Sequence, residues 1–118
     1  FGGDFLAVMR FKDNPGCGDI AETDKEKIMH IALPIGNGTT LMATDSLESQ
    51  GQKVTFGTNL YICLSPETRE ETERLFSGLS AGGKVEVPLQ DMFWGDYFGC
   101  CSDKFGVQWM FNQSKNGK

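Results

Sequence analysis

The sequence predicts an α+β fold: three strands first, then a strand, a helix and three further strands. Three observations predict it. Apolar stretches of strand length recur along the whole chain. A single segment, 65–83, carries the start and stop signals of a helix. Gly, Asn, Asp and Pro punctuate the joins.

The elements follow in order. DFLAVMRF (4–11) is apolar at almost every position and reads as a strand. KDNPGCGDIAETDKEK (12–27) is charged and rich in turn formers, so it is a long loop. IMHIALPIG (28–36) is a second strand and TTLMATD (39–45) the returning one, joined at GNGT by Asn-Gly, which tolerates positive φ. SLESQGQKV (46–54) is polar loop. TNLYICL (58–64) is a strand. Ser65-Pro66-Glu67 then reads as helix N-cap and first turn, with acids near the positive dipole end. Glu70 and Arg74 are spaced to pair, Leu75, Phe76 and Leu79 form the buried stripe, and Gly82-Gly83 closes the helix. KVEVPL (84–89), DYFGCCSD (96–103) and VQWMFNQ (107–113) complete the strands.

The chain of 118 residues suits one compact domain, read as residues 1–51 with three strands and 52–118 with the order βαβββ. If the halves are a pseudo-repeat, the first lacks a strand and a helix, roughly 20–25 residues, at its beginning. The abrupt start at Phe1 agrees with that expectation.

Eleven basic against sixteen acidic residues give a net charge of −5, which disfavours nucleic-acid partners. No apolar run approaches the ~18–20 residues of a membrane span, and no signal-peptide pattern opens the chain. The four cysteines, at 17, 63, 100 and 101, show neither C-x-x-C nor zinc-knuckle spacing. They are expected as buried or half-buried thiols, and a cytoplasmic location is expected with them. Cys100 and Cys101, as strand neighbours, face opposite ways, which disfavours a disulfide between them.

The run LQDMFWGDYFGCCSDKFGVQWM is the most informative. Its Pro88-Leu89-Gln90, Phe93-Trp94-Gly95, Phe98-Gly99, Ser102-Asp103-Lys104-Phe105-Gly106-Val107 and Trp109 stand in order after Gly82-Gly83-Lys84. Upstream lie Phe1-Gly2-Gly3, His30-Ile31-Ala32 and Leu41-Met42-Ala43-Thr44-Asp45. Over most of its length the chain resembles the PhnB-like branch of the vicinal-oxygen-chelate superfamily, which includes glyoxalases and bleomycin-resistance proteins. The resemblance implies paired βαβββ modules, each half of a cupped sheet around a pocket, and a homodimer. By that comparison the first strand and helix of module one are missing.

Glyoxalase-like members of the superfamily hold a divalent metal with His and Glu side chains, two from each module. Counted from Asp103 and Gly106, the last such Glu falls at Met110, a poor ligand for a hard ion. Thr58, Asn59 and Tyr61 stand where the comparison places a His. No metal and no cofactor are therefore expected, the alternative being a divalent metal. A methyl-transfer activity, a label attached to this branch, is not expected either, because no Gly-rich strand–turn–helix for a nucleotide-like cofactor is present.

His30, the single histidine, shares a strand face with Ala32. It reads either as a general base or ligand-orienting donor, or as a hydrogen-bonded sheet residue. Leu60, Ile62 and Leu64 are expected to be buried, and so are Val107, Trp109 and Phe111. That leaves Asn59, Tyr61, Gln108 and Met110 to line a small-molecule pocket, or merely to fill the sheet. Phe93 and Trp94 read as a lid, or as core or dimer packing. Asp103 reads as a turn residue. Three functions compete: an enzyme without a standard metal quartet in which His30 does acid–base work, a protein that sequesters an aromatic compound, and an inactive truncated paralogue. A metal-dependent lyase or dioxygenase of the superfamily is a further alternative.

Overall fold

A computed structural model describes residues 1–13, 22–36 and 38–114. The chain divides into two compact units, Phe1–Thr55 and Phe56–Lys118. The α+β class predicted from the sequence is the class observed, with two sheets and, among the described residues, one α-helix. No helix among them is long and apolar enough to cross a membrane.

The first unit is a three-stranded antiparallel sheet: β1 (Ala7–Arg10), β2 (Ile28–Gly36) and β3 (Thr39–Ala43), with β2 central. β1 is shorter than the apolar run predicted. Phe11 instead begins a short 3-10 turn, and the peptide N–H of Arg10 donates to Asp13 Oδ2 at 3.1 Å. Much of the loop read at 12–27 lies outside the described residues, as do Cys17 and the Asn37 of the hairpin turn. Within the loop predicted at 46–54, Glu48–Gln50 form a further 3-10 turn. This turn is anchored by Leu47, which is buried, and by Ser49, whose hydroxyl donates to the buried carboxylate of Asp24. Lys27 closes the pair with Asp24 at 2.9 Å, so the charge is buried only with partners.

The second unit has the predicted order β-α-β-β-β: β4 (Ile62–Leu64), α1 (Arg69–Ser80), β5 (Lys84–Asp91), β6 (Tyr97–Ser102) and β7 (Gln108–Gln113). The sheet order is β4-β7-β6-β5, with β4 parallel to β7 and the other pairs antiparallel. In β7, Trp109 and Phe111 point to one face and are buried. α1 packs there through Leu75 and Phe76, whose ring meets Phe111 edge-on at 5.4 Å. Gln108, Met110 and Asn112 take the other face.

Several expectations need correction. β4 starts at Ile62, not Thr58, and Leu60 is 74% exposed instead of buried. Its backbone is turned to serve Gln108, whose Nε2 donates to the Leu60 carbonyl at 2.7 Å. The helix N-cap is Thr68, not Ser65: Thr68 Oγ1 accepts the peptide N–H of Glu71 at 3.1 Å. Arg74 pairs with Glu71, not Glu70, through two bonds of 2.7 and 2.9 Å, because the i,i+3 position offers both carboxylate oxygens to its fork. Cys63 is exposed, whereas Cys100 and Cys101 are buried.

Two glycines set the join geometry. A Cβ on Gly83 would lie 2.1 Å from the Ser102 carbonyl oxygen, so only glycine lets α1 turn into β5 against β6. Gly95, at φ +100°, completes the β5–β6 hairpin, where its N–H donates to the Met92 carbonyl at 2.9 Å.

Candidate functional site

The face of the four-stranded sheet opposite α1 collects side chains from all four strands. Alternation brings Phe98, Cys100 and Ser102 of β6 to it, beside Gln108, Met110 and Asn112 of β7. The register sets Cys63, Met110 and Cys100 in one row across three strands.

β5 contributes Glu86. The segment Val85-Glu86-Val87 contains a register shift against β6, an irregularity that aims the acid across the sheet. Glu86 Oε1 accepts the Tyr61 hydroxyl at 2.7 Å, and Oε2 accepts the Ser102 hydroxyl at 2.9 Å. The bond from Tyr61, then that from Ser102, holds the Glu86 carboxyl below its ordinary range. The same bond to Glu86, followed by burial, raises the Tyr61 phenol. Burial, followed by the negative field of Glu86, raises the Cys100 thiol. The arrangement therefore offers an ionised acceptor flanked by neutral hydroxyls and a protonated thiol, chemistry for hydrogen bonding and not for thiolate attack.

An aromatic group closes one end. Phe93 and Trp94 sit at the tip of the β5–β6 hairpin, with rings edge-to-face at 5.0 Å, and Trp94 meets Phe98 at 5.9 Å. Phe93 is 97% exposed and Trp94 50% exposed, far above the burial a core role requires. Asp96 steadies the hairpin by accepting from Asn112 Nδ2 at 2.9 Å.

Of the residues singled out from the sequence, Gln108 and Met110 lie in the sheet of this second unit, Tyr61 immediately precedes β4, and Phe93 and Trp94 belong to the hairpin beside it. Gln108 is only 6% exposed, because its amide is drawn back to Leu60. Asn59 is exposed and precedes the strand. His30 lies in the first unit, half-buried in β2 opposite Met9 of β1. Glu86 and Ser102 were not singled out. The signal for Glu86 was a lone acid between two valines in a strand. Among the described residues no group of three or more His, Cys, Asp or Glu side chains is arranged to hold a metal ion.

The model of the 3-demethylubiquinone-9 3-methyltransferase family matches residues 8–111. The chain belongs to this family. Protein YjdN of Escherichia coli strain K12 is 40% identical over 78 residues, 66% of this chain and 51% of YjdN. The chain thus spans about half the length of the curated relative it matches. Protein PA1353 of Pseudomonas aeruginosa has a similar crystal structure, with a TM-score of 0.81 and 37% identity over 96% of this chain and 80% of that one. A Bacillus cereus PhnB protein, whose name carries the same methyltransferase description, aligns at a TM-score of 0.69 and 25% identity, covering 93% and 78%. Both structures share the fold found in this family member.

Proposed function

We propose that the chain binds a small organic molecule on the open face of the second sheet, as a glyoxalase- and bleomycin-resistance-like member of the vicinal-oxygen-chelate superfamily that works without the standard metal quartet. One observation carries this reading: the hydroxyls of Tyr61 and Ser102 converge on the Glu86 carboxylate, on a face that also presents Met110 and Phe98. A few fixed polar groups among apolar side chains are the usual make-up of a small-molecule site. A homodimer in a reducing cytoplasm belongs to the same proposal.

Methyl transfer, the activity in the family's description, draws less support. β4 runs into α1 through Ser65-Pro66-Glu67-Thr68, which holds no glycine, and only the β4–β7 pair of the sheet is parallel. A doubly wound cofactor fold uses a Gly-rich turn and a parallel sheet at that place. A second reading, sequestration of an aromatic compound, is favoured by the exposed Phe93–Trp94 pair. His30 is the chain's candidate acid–base group. Its replacement by Ala abolishes turnover under an enzymatic reading and leaves ligand affinity unchanged under a sequestering one.

Native mass spectrometry of the purified protein, with metal analysis of the same sample, tests the proposal. A metal-free dimer carrying a small organic adduct supports it. A stoichiometric divalent metal overturns it in favour of a metal-dependent lyase or dioxygenase.

A further inference from the structure

The open face of the second sheet has an uneven hydrogen-bond inventory. The Tyr61 and Ser102 hydroxyls both donate inward to Glu86. The Gln108 amide donates to the Leu60 carbonyl, and the Asn112 amide to Asp96 Oδ2. A hydroxyl whose proton is engaged presents only lone pairs, and a carboxylate has no donor at all. The two hydroxyls and the carboxylate therefore face a ligand with oxygen acceptors, centred on a negative charge, while each amide has a second N–H. A basic side chain, Lys84, acts on Glu86 from the exposed start of β5, but more weakly than either hydroxyl.

We infer that this face selects a ligand with a hydrogen-bond-donating amine head and an apolar or aromatic body, and rejects carboxylates and phosphates. The inference rests on the small-molecule reading above and adds the class of ligand. An ammonium supplies three donors and no acceptor, the complement of Glu86 flanked by Tyr61 and Ser102. A carboxylate head would meet an unmatched carboxylate there, and like charges at contact oppose binding. The body follows from the sheet. Phe98 lies four residues from Ser102 along β6, roughly 13 Å at ~3.3 Å per residue. Trp94 extends the apolar surface beyond Phe98. An amine head at Glu86 with an aromatic group several methylenes away reaches along β6 towards Phe98.

Phenylbutylamine, phenylbutanol and phenylbutyrate share one body and differ only in the head. Titrating each into isotope-labelled protein, with amide shifts read along β5, β6 and β7, ranks them. The amine is expected to bind at least about tenfold more tightly than the carboxylate, with shifts at Glu86, Ser102 and Phe98, since a charge-assisted bond is worth a decade or more. Glu86→Gln removes that advantage. Tyr61→Phe keeps it, because the carboxylate stays and loses only an internal donor. If the carboxylate or the alcohol binds as tightly as the amine, the selection inference falls while the small-molecule reading stands. If none of the three perturbs this face, both fall. Should Glu86→Gln fail to fold, the wild-type ranking still decides.

Discussion

The indole Nε1–H of Trp109 donates to Oδ2 of Asp103 at 2.9 Å, joining the buried start of β7 to the turn that precedes it. The other carboxylate oxygen of Asp103 accepts two peptide N–H groups, from Phe105 at 2.9 Å and Val107 at 3.0 Å. One short side chain thus closes the β6–β7 turn and fixes the rotamer of a core tryptophan. Asp103→Ala removes three hydrogen bonds and is expected to cost about 2–4 kcal/mol, at the usual ~0.5–1.5 kcal/mol per bond. Asp103→Asn keeps an oxygen for the peptide groups and fails only at Trp109, so it should cost roughly half as much. Urea denaturation of both variants checks the order.

Two glycine replacements have opposite signs. Gly83→Ala drives a methyl into the Ser102 carbonyl and is expected to destabilise by about 3 kcal/mol or more, at the upper end of overpacking. Gly78→Ala lies within α1, exposed, with open space where its Cβ would go. It should stabilise by about 0.5–1 kcal/mol through helix propensity. Thermal melts of the pair separate the effects of space and backbone.

The Glu86 relay predicts an acid-side pH dependence. Glu86 titrates lower in the folded chain than unfolded, first through Tyr61 and then through Ser102. Its contribution is present above the unfolded value and lost as pH falls through the folded one. In Glu86→Gln this component is absent. The gap between wild type and variant in urea midpoint should therefore narrow as the solution is acidified through the carboxylate range. A gap independent of pH would contradict the relay.

Thiol labelling should divide the described cysteines. Cys63 is exposed, whereas Cys101 is fully buried and its thiol is pushed up to about 11, chiefly by burial. Only the thiolate reacts. Iodoacetamide at mildly alkaline pH is expected to alkylate Cys63 in the folded protein, and Cys100 and Cys101 only after denaturant is added. Peptide mass mapping reads out the sites.

Arg69 is held from two sides. It makes a bidentate pair with Asp91 at 3.0 and 3.1 Å, and its guanidinium lies 3.7 Å from the centroid of the Tyr97 ring. Tyr97 in turn donates its hydroxyl to Glu73 at 2.9 Å. Arg69→Lys keeps the charge and loses both the fork and the stacking, so it should lower the urea midpoint. Asp91→Asn introduced on top of it should add less than Asp91→Asn alone, a coupling that a double-mutant cycle measures.

How much of this was legible depends on the range of the interaction. The βαβββ order of the second unit could be read because Leu75, Phe76, Gly82-Gly83 and the alternation of β7 are local signals. The N-cap was misplaced because Ser65 and Thr68 stand three residues apart and both can cap. The deciding sign was Glu71, three residues after Thr68 as in a capping box, although its side chain is taken by Arg74 instead of reaching back. The exposure of Leu60 was hidden because its backbone is recruited by Gln108, 48 residues later. Glu86 escaped for the same reason: its partners are 25 and 16 residues away, and no window of sequence shows them together.

The parallel pairing of β4 with β7 sets an order of events during synthesis. β4 has no other neighbour in its sheet, so residues 62–64 wait for 109–111 before they gain a strand partner. The β5–β6 hairpin can close as soon as it leaves the ribosome, since it needs only adjacent residues. The helix lacks the β7 part of its platform until that strand arrives, because Phe76 rests on Phe111. A nascent chain that has emerged only as far as the β6–β7 turn therefore carries an unpaired strand and a partly uncovered apolar helix face, the form most in need of a chaperone.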